Sequence, residues 1–435
     1  MLRKIEIKEL FGRFNYEILL KKDGVTIITG PNGYGKSTIL KCFEVISEGN
    51  NLSFLSFFIK LDFSEIKFLF NNASSAFLIS KKEGGLSING LKMPEELIAE
   101  LSLESRTPSY IIKVNNDTWI DRRTGEVFDP VDFNIKRAFN NFERHNFERH
   151  NNLIDIDHNF SENLAILLSQ AKDSIGPIYY IKEQRLIMEK RNKRAEQEII
   201  NVIEELPNKF KDLIRDISNN YSATANKLDG SYPYRLFKTE KGISEEEYEI
   251  KMEVMNEKFE KLRKYDISEM QHFVNVVFKI EHAKALEIYF DDFNEKYKVY
   301  EDFINKLDLF TDIVNSRLSF KEIKISRENG IIVVDKEYKD KKLTLNQLSS
   351  GEKQEIVLFY ELIFETTNDV LLLIDEPEIS LHITWQKMFM NDLLRIVKYK
   401  GFNVIVATHS PQIINNHWDK QIDLGELFGE QLSQR

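Results

Sequence analysis

Residues 25–38 constrain the fold of this chain more than any other segment, because they read VTIITGPNGYGKST. The first five residues are all β-branched, which predicts a buried strand. The next eight have the spacing G-x-x-x-x-G-K-S, and apolar residues at helical spacing come directly after them. A strand, a glycine-rich loop and a helix in this order predict a phosphate-binding loop.

The residue types in this loop suit the binding of a nucleoside triphosphate. Glycine lets the backbone adopt positive φ and bring its N–H groups close to phosphate oxygens. We expect Lys36 to reach the β- and γ-phosphates and the Ser37 hydroxyl to bind Mg²⁺. The expected cofactors are therefore ATP and Mg²⁺. The loop residues expected to contact them are Pro31, Asn32, Gly33, Gly35, Lys36, Ser37 and Thr38.

Length and composition bound the class of protein. The chain has 435 residues, enough for two or three domains, and 30% of them are charged. No run of about 18 apolar residues occurs, so neither a transmembrane helix nor a membrane partner is expected. The single cysteine, Cys42, excludes an internal disulfide and favours a packed core residue in a reduced, cytoplasmic protein. Because the net charge is −10, any contact with nucleic acid would need a local basic patch.

Strand and helix patterns alternate towards both ends of the chain. Residues 2–7 and 14–20 predict an antiparallel pair of strands, and residues 370–374 and 403–407 predict buried strands. Residues 186–317 are rich in Lys and Glu with helical spacing, which predicts an inserted all-helical arm. The predicted fold class is therefore α/β, a mixed sheet flanked by helices with antiparallel N-terminal strands. The predicted division is an N-terminal lobe at 1–185, the arm at 186–317 and a C-terminal lobe at 318–435.

Two carboxylates and a histidine follow the C-terminal strands. Asp375 and Glu376 end the apolar run VLLLI, where carboxylates are costly unless they meet a cation. In a phosphate-loop fold the first carboxylate at this strand tip assists Mg²⁺, so Asp375 and Ser37 are the expected magnesium residues. We expect Glu376 to polarise an attacking water as a general base. His409 follows the next strand and could hydrogen-bond the γ-phosphate, so the predicted catalytic residues are Glu376, His409 and Lys36.

Three other patterns leave more than one interpretation open. The sequence LSSGEKQ puts Ser349 and Gly351 at the start of a helix, which suits a second anion contact. A basic cluster opens the arm and is either an exposed helix face or a nucleic-acid contact. Its members are Arg185, Lys190, Arg191, Lys193 and Arg194. The pentapeptide NFERH occurs twice in residues 141–150, either through tandem copying or, with His158 nearby, as a metal site.

The order of these motifs resembles that of the ABC-type ATPases, up to residue 50 and again between residues 340 and 415. Residues 30–37 match the Walker A motif of that family, and Asp375 matches its Walker B aspartate. Glu376 matches the catalytic glutamate and His409 the switch histidine. The resemblance therefore implies an ABC-type P-loop NTPase head.

The same resemblance assigns roles to residues that the pattern alone leaves open. Ser349 and Gly351, with Glu352 after them, match the signature motif, which in that family contacts the γ-phosphate bound to a partner subunit. Gln184 matches the Q-loop glutamine, which implies contact with the nucleotide and Mg²⁺. Two departures are Ser350, where a second glycine is commoner, and His382, where transporter-type members usually have aspartate.

A helical block between the two half-sites is similar to the chromosome-maintenance, RecF and overcoming-lysogenisation-defect branches. The sequences GPNGYGKST, LSSGEKQ and DEPEISLH look most like the last branch and the ATPase subunits of Septu-like and PARIS-like anti-phage systems. This implies an ATPase, producing ADP and phosphate, that dimerises around ATP and controls a separate nuclease or toxin effector. The alternatives are a RecF-like DNA-repair clamp that binds DNA, and a binding module that uses ATP only for assembly.

Overall fold

The computed structural model describes most of the chain as two compact units. The described residues are 2–71, 76–82, 85–102, 111–114, 118–122, 127–149, 160–182, 186–191, 197–267, 277–338 and 342–433. The first unit comprises Met1–Gln184, Glu189–Ile200 and Thr366–Arg435, and the second comprises Arg185–Met188 and Asn201–Glu365. Within the described ranges, no helix is both long and apolar enough to cross a membrane.

The first unit contains both strands and helices. Its strands are β1 Leu2–Leu10, β2 Phe14–Leu19, β3 Val25–Thr29, β4 Glu65–Phe70, β5 Ala76–Lys82, β6 Gly85–Ile88, β7 Leu91–Lys92, β8 Ile111–Lys113, β9 Trp119–Asp121, β10 Val127–Phe128, β11 Ile178–Ile181, β17 Leu371–Asp375, β18 Asn403–Ala407 and β19 Gln421–Asp423. Its helices are α1 Lys36–Glu48, α2 Asn51–Lys60, α3 Glu95–Ser102, α4 Pro130–Arg149, α5 Phe160–Ile175, α10 Ile383–Lys400, α11 Pro411–Ile414 and α12 Leu424–Ser433. Two further strands, β12 Ile187–Arg191 and β13 Gln197–Asn201, lie where the sequence passes between the units.

A parallel sheet of five strands positions the candidate site. Its order is β11-β17-β18-β3-β19, and every neighbouring pair in it is parallel. Every residue of β3 and of β17 is buried, as their apolar runs predict. Because the carboxyl ends of parallel strands lie at one edge of a sheet, the loops after β3, β17 and β18 come together there.

A second sheet, of antiparallel strands, has the order β2-β1-β4-β5-β6-β7. The predicted N-terminal pair is confirmed, because β1 pairs antiparallel with β2 and Ile5 lies opposite Ile18. Strands β8 to β10 form a small third sheet. One hydrophobic cluster includes Ile28 of the parallel sheet, Phe68 of the antiparallel sheet and Phe43 of α1. Cys42 is buried in the same cluster, as its sequence context indicated. The expected α/β fold class, with antiparallel N-terminal strands and helices flanking the sheet, is confirmed.

The second unit contains three long helices and a small sheet. Its elements are α6 Val202–Lys238, α7 Glu245–Lys264, α8 Ala283–Asn315, β14 Lys321–Ser326, β15 Gly330–Asp335, β16 Lys342–Leu343 and α9 Ser350–Tyr360, which continues as a π-helical turn at Glu361–Glu365. Helices α6 and α8 run antiparallel, since Phe210 contacts Phe310 while Arg235 is bonded to Asp292. Aromatic contacts of Phe210 with Tyr360 and Phe364 join α6 to the end of α9.

The start of the predicted helical arm is wrong in one respect. Residues Ile187–Arg191 and Gln197–Asn201 are strands, so the helices begin only at Val202. Lys190 and Arg191 therefore do not lie on a helix face, because pairing of β12 with β13 overrides the helical tendency of this Lys- and Glu-rich stretch. The other basic residues, Arg185, Lys193 and Arg194, lie outside the described residues.

Two other expectations remain without a test. The second unit extends beyond residue 317, to include β14, β15, β16 and α9, and the division at 185 and 317 stays a prediction. The first NFERH copy and most of the second lie at the end of α4, whereas His150 and His158 fall outside the described residues. The metal-site interpretation of these histidines therefore stays a prediction.

Candidate nucleotide-binding site

The loop between β3 and α1 has the backbone that phosphate binding requires. Gly30, Gly33 and Gly35 have φ values of 146°, 82° and 90°, which residues other than glycine rarely adopt. A Cβ atom at Gly35 would also lie 2.7 Å from Cδ2 of Leu10. At Gly33 the space is open, so only the backbone angle requires glycine there. The sequence-predicted glycine loop is thus formed as expected.

The start of α1 offers both N–H donors and a cation. Gly35 is the N-cap residue, and within the described part of the chain no side chain caps the first turn of the helix. The Lys36 ammonium is buried and donates to the carbonyl oxygens of Gly30 at 2.9 Å and Pro31 at 3.4 Å. Pro31, Asn32, Gly33 and Ser37 are exposed, and Thr38 is half-buried. Free N–H groups and a lysine at a helix N-terminus suit an anion such as a phosphate.

A carboxylate from β17 meets the hydroxyl at the start of α1. Ser37 Oγ donates to Asp375 Oδ1 at 3.1 Å, although the two residues are 338 positions apart. Asp375 is buried, and its second oxygen, Oδ2, accepts a hydrogen bond from the Tyr180 hydroxyl at 3.0 Å. Hydroxyl and carboxylate oxygens are the ligands that Mg²⁺ prefers, so Ser37 and Asp375 fit a magnesium site.

Tyr180 was not found by sequence reasoning. It lies on β11, opposite Leu373 of β17, and this pairing brings its hydroxyl to Asp375. Burial raises the pKa of the Tyr180 hydroxyl, and the negative charge of Asp375 raises it further. The hydroxyl therefore remains a neutral donor to Asp375 over the physiological pH range. The available signal was its place on a strand next to the one that ends in two carboxylates.

Glu376 adopts a strained backbone conformation at the end of β17. Its φ of 43° and ψ of 60° are left-handed, which costs a residue with a side chain on the order of 1–3 kcal/mol. Its N–H donates to the Ala407 carbonyl at 2.9 Å. Its Oε2 lies 2.9 Å from Nδ1 of His409, the residue that sequence reasoning placed at the neighbouring strand tip. The structure thus brings these two predicted catalytic residues into contact.

Glu378 is a second residue that sequence reasoning missed. It lies in the 3₁₀ turn Pro377–Ser380, and its side chain is buried. Its Oε1 accepts hydrogen bonds from the Thr408 hydroxyl at 2.6 Å, the His409 N–H at 2.9 Å and the Ser410 N–H at 3.2 Å. It also lies 3.3 Å from Nδ1 of His409. The only sequence signal was an additional acid two residues after Glu376.

The signature-like residues begin α9, as expected, and belong to the second unit. Ser349 is the N-cap residue of α9, and it forms a capping box with Glu352. Its hydroxyl lies 2.9 Å from Glu352 Oε2, and Lys321 lies within 3.2 Å of the same carboxylate. Burial raises the pKa of Glu352, but the Ser349 N–H, Lys321 and the Ser349 hydroxyl together lower it below its ordinary value. Glu352 thus caps the helix, while Ser349 is exposed and Gly351 half-buried.

Two remaining sequence predictions concern single residues. Gln184 lies outside the described residues, so its assignment as the Q-loop glutamine stays a prediction. His382 is the N-cap residue of α10, where its Nδ1 accepts a hydrogen bond from the Thr384 N–H at 3.4 Å. A capping role explains a polar residue at position 382 without any contact with nucleotide.

One curated protein matches a short part of the chain. One relative, UvrABC system protein A of Clostridium acetobutylicum, is 38% identical over 84 residues, which are 19% of this chain and 9% of that protein. The chain therefore corresponds to under a tenth of that relative's length.

Solved structures that are similar to the chain are heads of SMC proteins. One is the SMC head bound to the C-winged helix domain of ScpA (13% identity, TM-score 0.40, 95% of this chain and 92% of that one). A second is the head with an extended coiled coil, bound to the C-terminal domain of ScpA from Pyrococcus furiosus (14%, 0.35, 95% and 91%). The third is the SMC head domain from Thermotoga maritima (12%, 0.31, 95% and 90%). At these TM-scores, no functional conclusion follows.

The family comparison covers far more of the chain. The AAA ATPase domain family matches residues 1–414, which include the phosphate loop, the carboxylates after β17 and His409. The chain belongs to the AAA ATPase domain family.

Proposed function

We propose that the protein binds ATP with Mg²⁺ and hydrolyses the ATP to ADP and phosphate. The observation that carries this proposal is the meeting of three strand ends. The Ser37 hydroxyl lies 3.1 Å from Asp375, and Glu376 lies 2.9 Å from His409. Membership of an ATPase domain family supports the same conclusion.

Each of these side chains has a role that its contacts support. The Lys36 ammonium, which now bonds two loop carbonyl oxygens, would bind the phosphates together with the free N–H groups of α1. Ser37 and Asp375 would hold Mg²⁺, which would offset negative charge on the phosphates. Glu376 would accept a proton from the attacking water, and His409 would orient Glu376 and hydrogen-bond the γ-phosphate.

Two variants test the proposal. Lys36→Ala should abolish nucleotide binding, because it removes the one side-chain cation in the loop, whereas Glu376→Gln should keep ATP bound but unhydrolysed. Glu17→Gln, an exposed residue of β2, is the control and should retain both properties. Binding is measured with a fluorescent ATP analogue and turnover by phosphate release. Turnover that survives in Glu376→Gln would refute the assignment of the general base.

We further propose that two copies associate around ATP, with Ser349 and Gly351 of each copy contacting the γ-phosphate bound by the other. The exposed start of α9 supports this, because its N–H groups suit an anion. Glu376→Gln with ATP should sediment as a dimer, and Ser349→Arg should bind ATP as a monomer without hydrolysing it. Glu337→Arg, an exposed residue of the same unit, is the control. Unaltered hydrolysis in Ser349→Arg would defeat the shared-site proposal.

The proposed cellular role is that of an ATP-dependent sensor or scaffold that controls a separate nuclease or toxin in anti-phage defence. It is supported by the combination of GPNGYGKST, LSSGEKQ and DEPEISLH, which resembles anti-phage ATPase subunits. The test is phage plaque formation on cells that express the chain with its neighbouring gene. Protection should disappear with Lys36→Ala, and equal protection by that variant would exclude an ATP-dependent role.

A further inference from the structure

Glu378 connects the two turns that hold the proposed catalytic pair. Its own turn follows β17 and Glu376, whereas the groups that donate to its Oε1 belong to the turn after β18. The Thr408 hydroxyl and the N–H groups of His409 and Ser410 all converge on this one oxygen. A side chain with 5% exposure that accepts three hydrogen bonds across two turns fixes their relative position.

The same oxygen also faces the His409 ring. Nδ1 of His409 lies 3.3 Å from Glu378 Oε1 and 2.9 Å from Glu376 Oε2. An oxygen that already accepts three hydrogen bonds is an acceptor, so the ring nitrogen can approach it favourably only as N–H. The contacts therefore require a proton of His409 on Nδ1, and the ring can donate to the γ-phosphate through Nε2 only when it carries a second proton, as imidazolium.

The second oxygen of Glu378 shows that this arrangement has a cost. Glu378 Oε2 is buried, and among the described residues it has no hydrogen-bond partner. A buried, unpaired oxygen is unfavourable, so the site retains a carboxylate at a cost that a smaller or apolar side chain would avoid. An apolar residue, however, would leave the Thr408 hydroxyl and the His409 N–H without the acceptor they have here, whereas the Ser410 N–H would keep its bond to the Thr408 hydroxyl oxygen at 3.0 Å.

We propose that Glu378 is a positioning residue, which holds His409 with its proton on Nδ1 and its ring against Glu376. The inference deepens the proposed ATP hydrolysis and rests on it. Glu378 would act through His409 and would touch neither ATP nor the attacking water. It should therefore affect the rate of the chemical step and leave nucleotide binding unchanged.

A double-mutant cycle tests whether Glu378 acts through His409. Glu378→Gln is nearly isosteric and keeps an oxygen for the three donors, so its loss of charge is the main change. We expect kcat to fall on the order of tenfold while KM for ATP stays within about twofold, as for other partners that orient active-site groups. In a His409→Ala background, Glu378→Gln should cause no further loss, because the two residues act as one unit.

The matched control is Gln386→Ala. Gln386 supports the same two turns, since its Oε1 accepts a hydrogen bond from the Ser410 hydroxyl at 2.8 Å and its Nε2 donates to the carbonyl oxygens of Glu378 at 3.3 Å and Leu381 at 3.0 Å. It makes no contact with the His409 ring among the contacts of that ring described above, so it tests support of the turns without contact with the ring. Because Gln386 does not hold the His409 ring, Gln386→Ala should lower kcat less than twofold. The proposal is overturned if Gln386→Ala loses as much activity as Glu378→Gln. It is equally overturned if Glu378→Gln lowers kcat by the same factor with and without His409.

A second measurement needs no turnover. In protein containing ¹⁵N-labelled histidine and no nucleotide, the ring nitrogens of His409 are assigned by comparison with His409→Ala. We expect Nδ1 to carry a proton, and an unprotonated Nδ1 would overturn the proposed positioning. If the wild-type protein does not hydrolyse ATP at all, the proposed function fails, whereas this measurement still decides how Glu378 and Glu376 hold the ring.

Discussion

Replacing Tyr180 with phenylalanine isolates one hydrogen bond next to the proposed magnesium site. The change removes the hydroxyl that donates to Asp375 Oδ2 at 3.0 Å and leaves the ring. A hydrogen bond to a charged group contributes about 1.5–3 kcal/mol. Loss of a group that orients a metal ligand lowers metal affinity about 10- to 100-fold, or about 1.4–2.7 kcal/mol. Because Tyr180 is only half-buried, we expect the lower end, about tenfold.

The assay is ATP turnover measured against free Mg²⁺ at saturating ATP. In Tyr180→Phe the Mg²⁺ concentration for half-maximal turnover should rise about tenfold, and the maximal rate should largely recover at high Mg²⁺. Tyr179→Phe is the control, because alternate residues of β11 face opposite sides of the sheet. Since the pKa of Tyr180 is raised, the wild-type midpoint should stay constant between about pH 7 and 9. An unchanged midpoint in Tyr180→Phe would refute the role of this hydroxyl.

Further substitutions test three other features: the glycine loop, a buried ion pair and the start of α9. Gly35→Ala and Gly33→Ala each force a side chain into positive φ, at about 1–2 kcal/mol, but only Gly35→Ala also clashes, so its melting temperature should fall further. Arg317→Leu removes the cation 2.5 Å from the buried Glu355, which should cost about 3–5 kcal/mol in urea unfolding; replacing Glu355 with leucine as well should restore most of this, and a double variant no better than the single one would contradict the argument. The lowered pKa of Glu352 stabilises the fold above its unfolded-state pKa, and this contribution is lost as pH falls through the folded-state pKa. Glu352→Gln should therefore melt below the wild type near pH 7, and the difference should shrink as the pH falls below the ordinary glutamate pKa of about 4.3. A difference that does not shrink in acid would contradict the assignment.

The sequence predicts the phosphate loop and the two carboxylates at the end of β17, because their patterns are local. Five consecutive β-branched residues favour a buried strand, and the glycine-rich loop after them predicts that a helix begins near Lys36 and Ser37, as the structure has it. The meeting of Ser37 with Asp375 follows from one further rule, that parallel strands end at the same edge. No exact distance was needed for that part of the site.

Tyr180 and Glu378 could not be found in this way, because their partners depend on tertiary detail. Tyr180 reaches Asp375 only through the pairing of β11 with β17, and the sequence IYYI of β11 does not indicate that β17 is the neighbouring strand. Glu378 reaches His409 only because the turn after β17 folds back towards β18. The helices begin later than the sequence predicts for a related reason. The composition of a Lys- and Glu-rich stretch does not indicate that β12 pairs with β13.

The strand order also has a consequence for the synthesis of the protein. β3 lies between β18 and β19, and Thr29 donates to Asp423, which is 394 residues further along the chain. At about 5–20 residues per second, a ribosome needs roughly 20–80 s to make the intervening segment. For most of that time β3 lacks both neighbouring strands, and its unpaired apolar edges favour aggregation. A nascent chain should therefore become able to bind ATP only after β19 has left the exit tunnel.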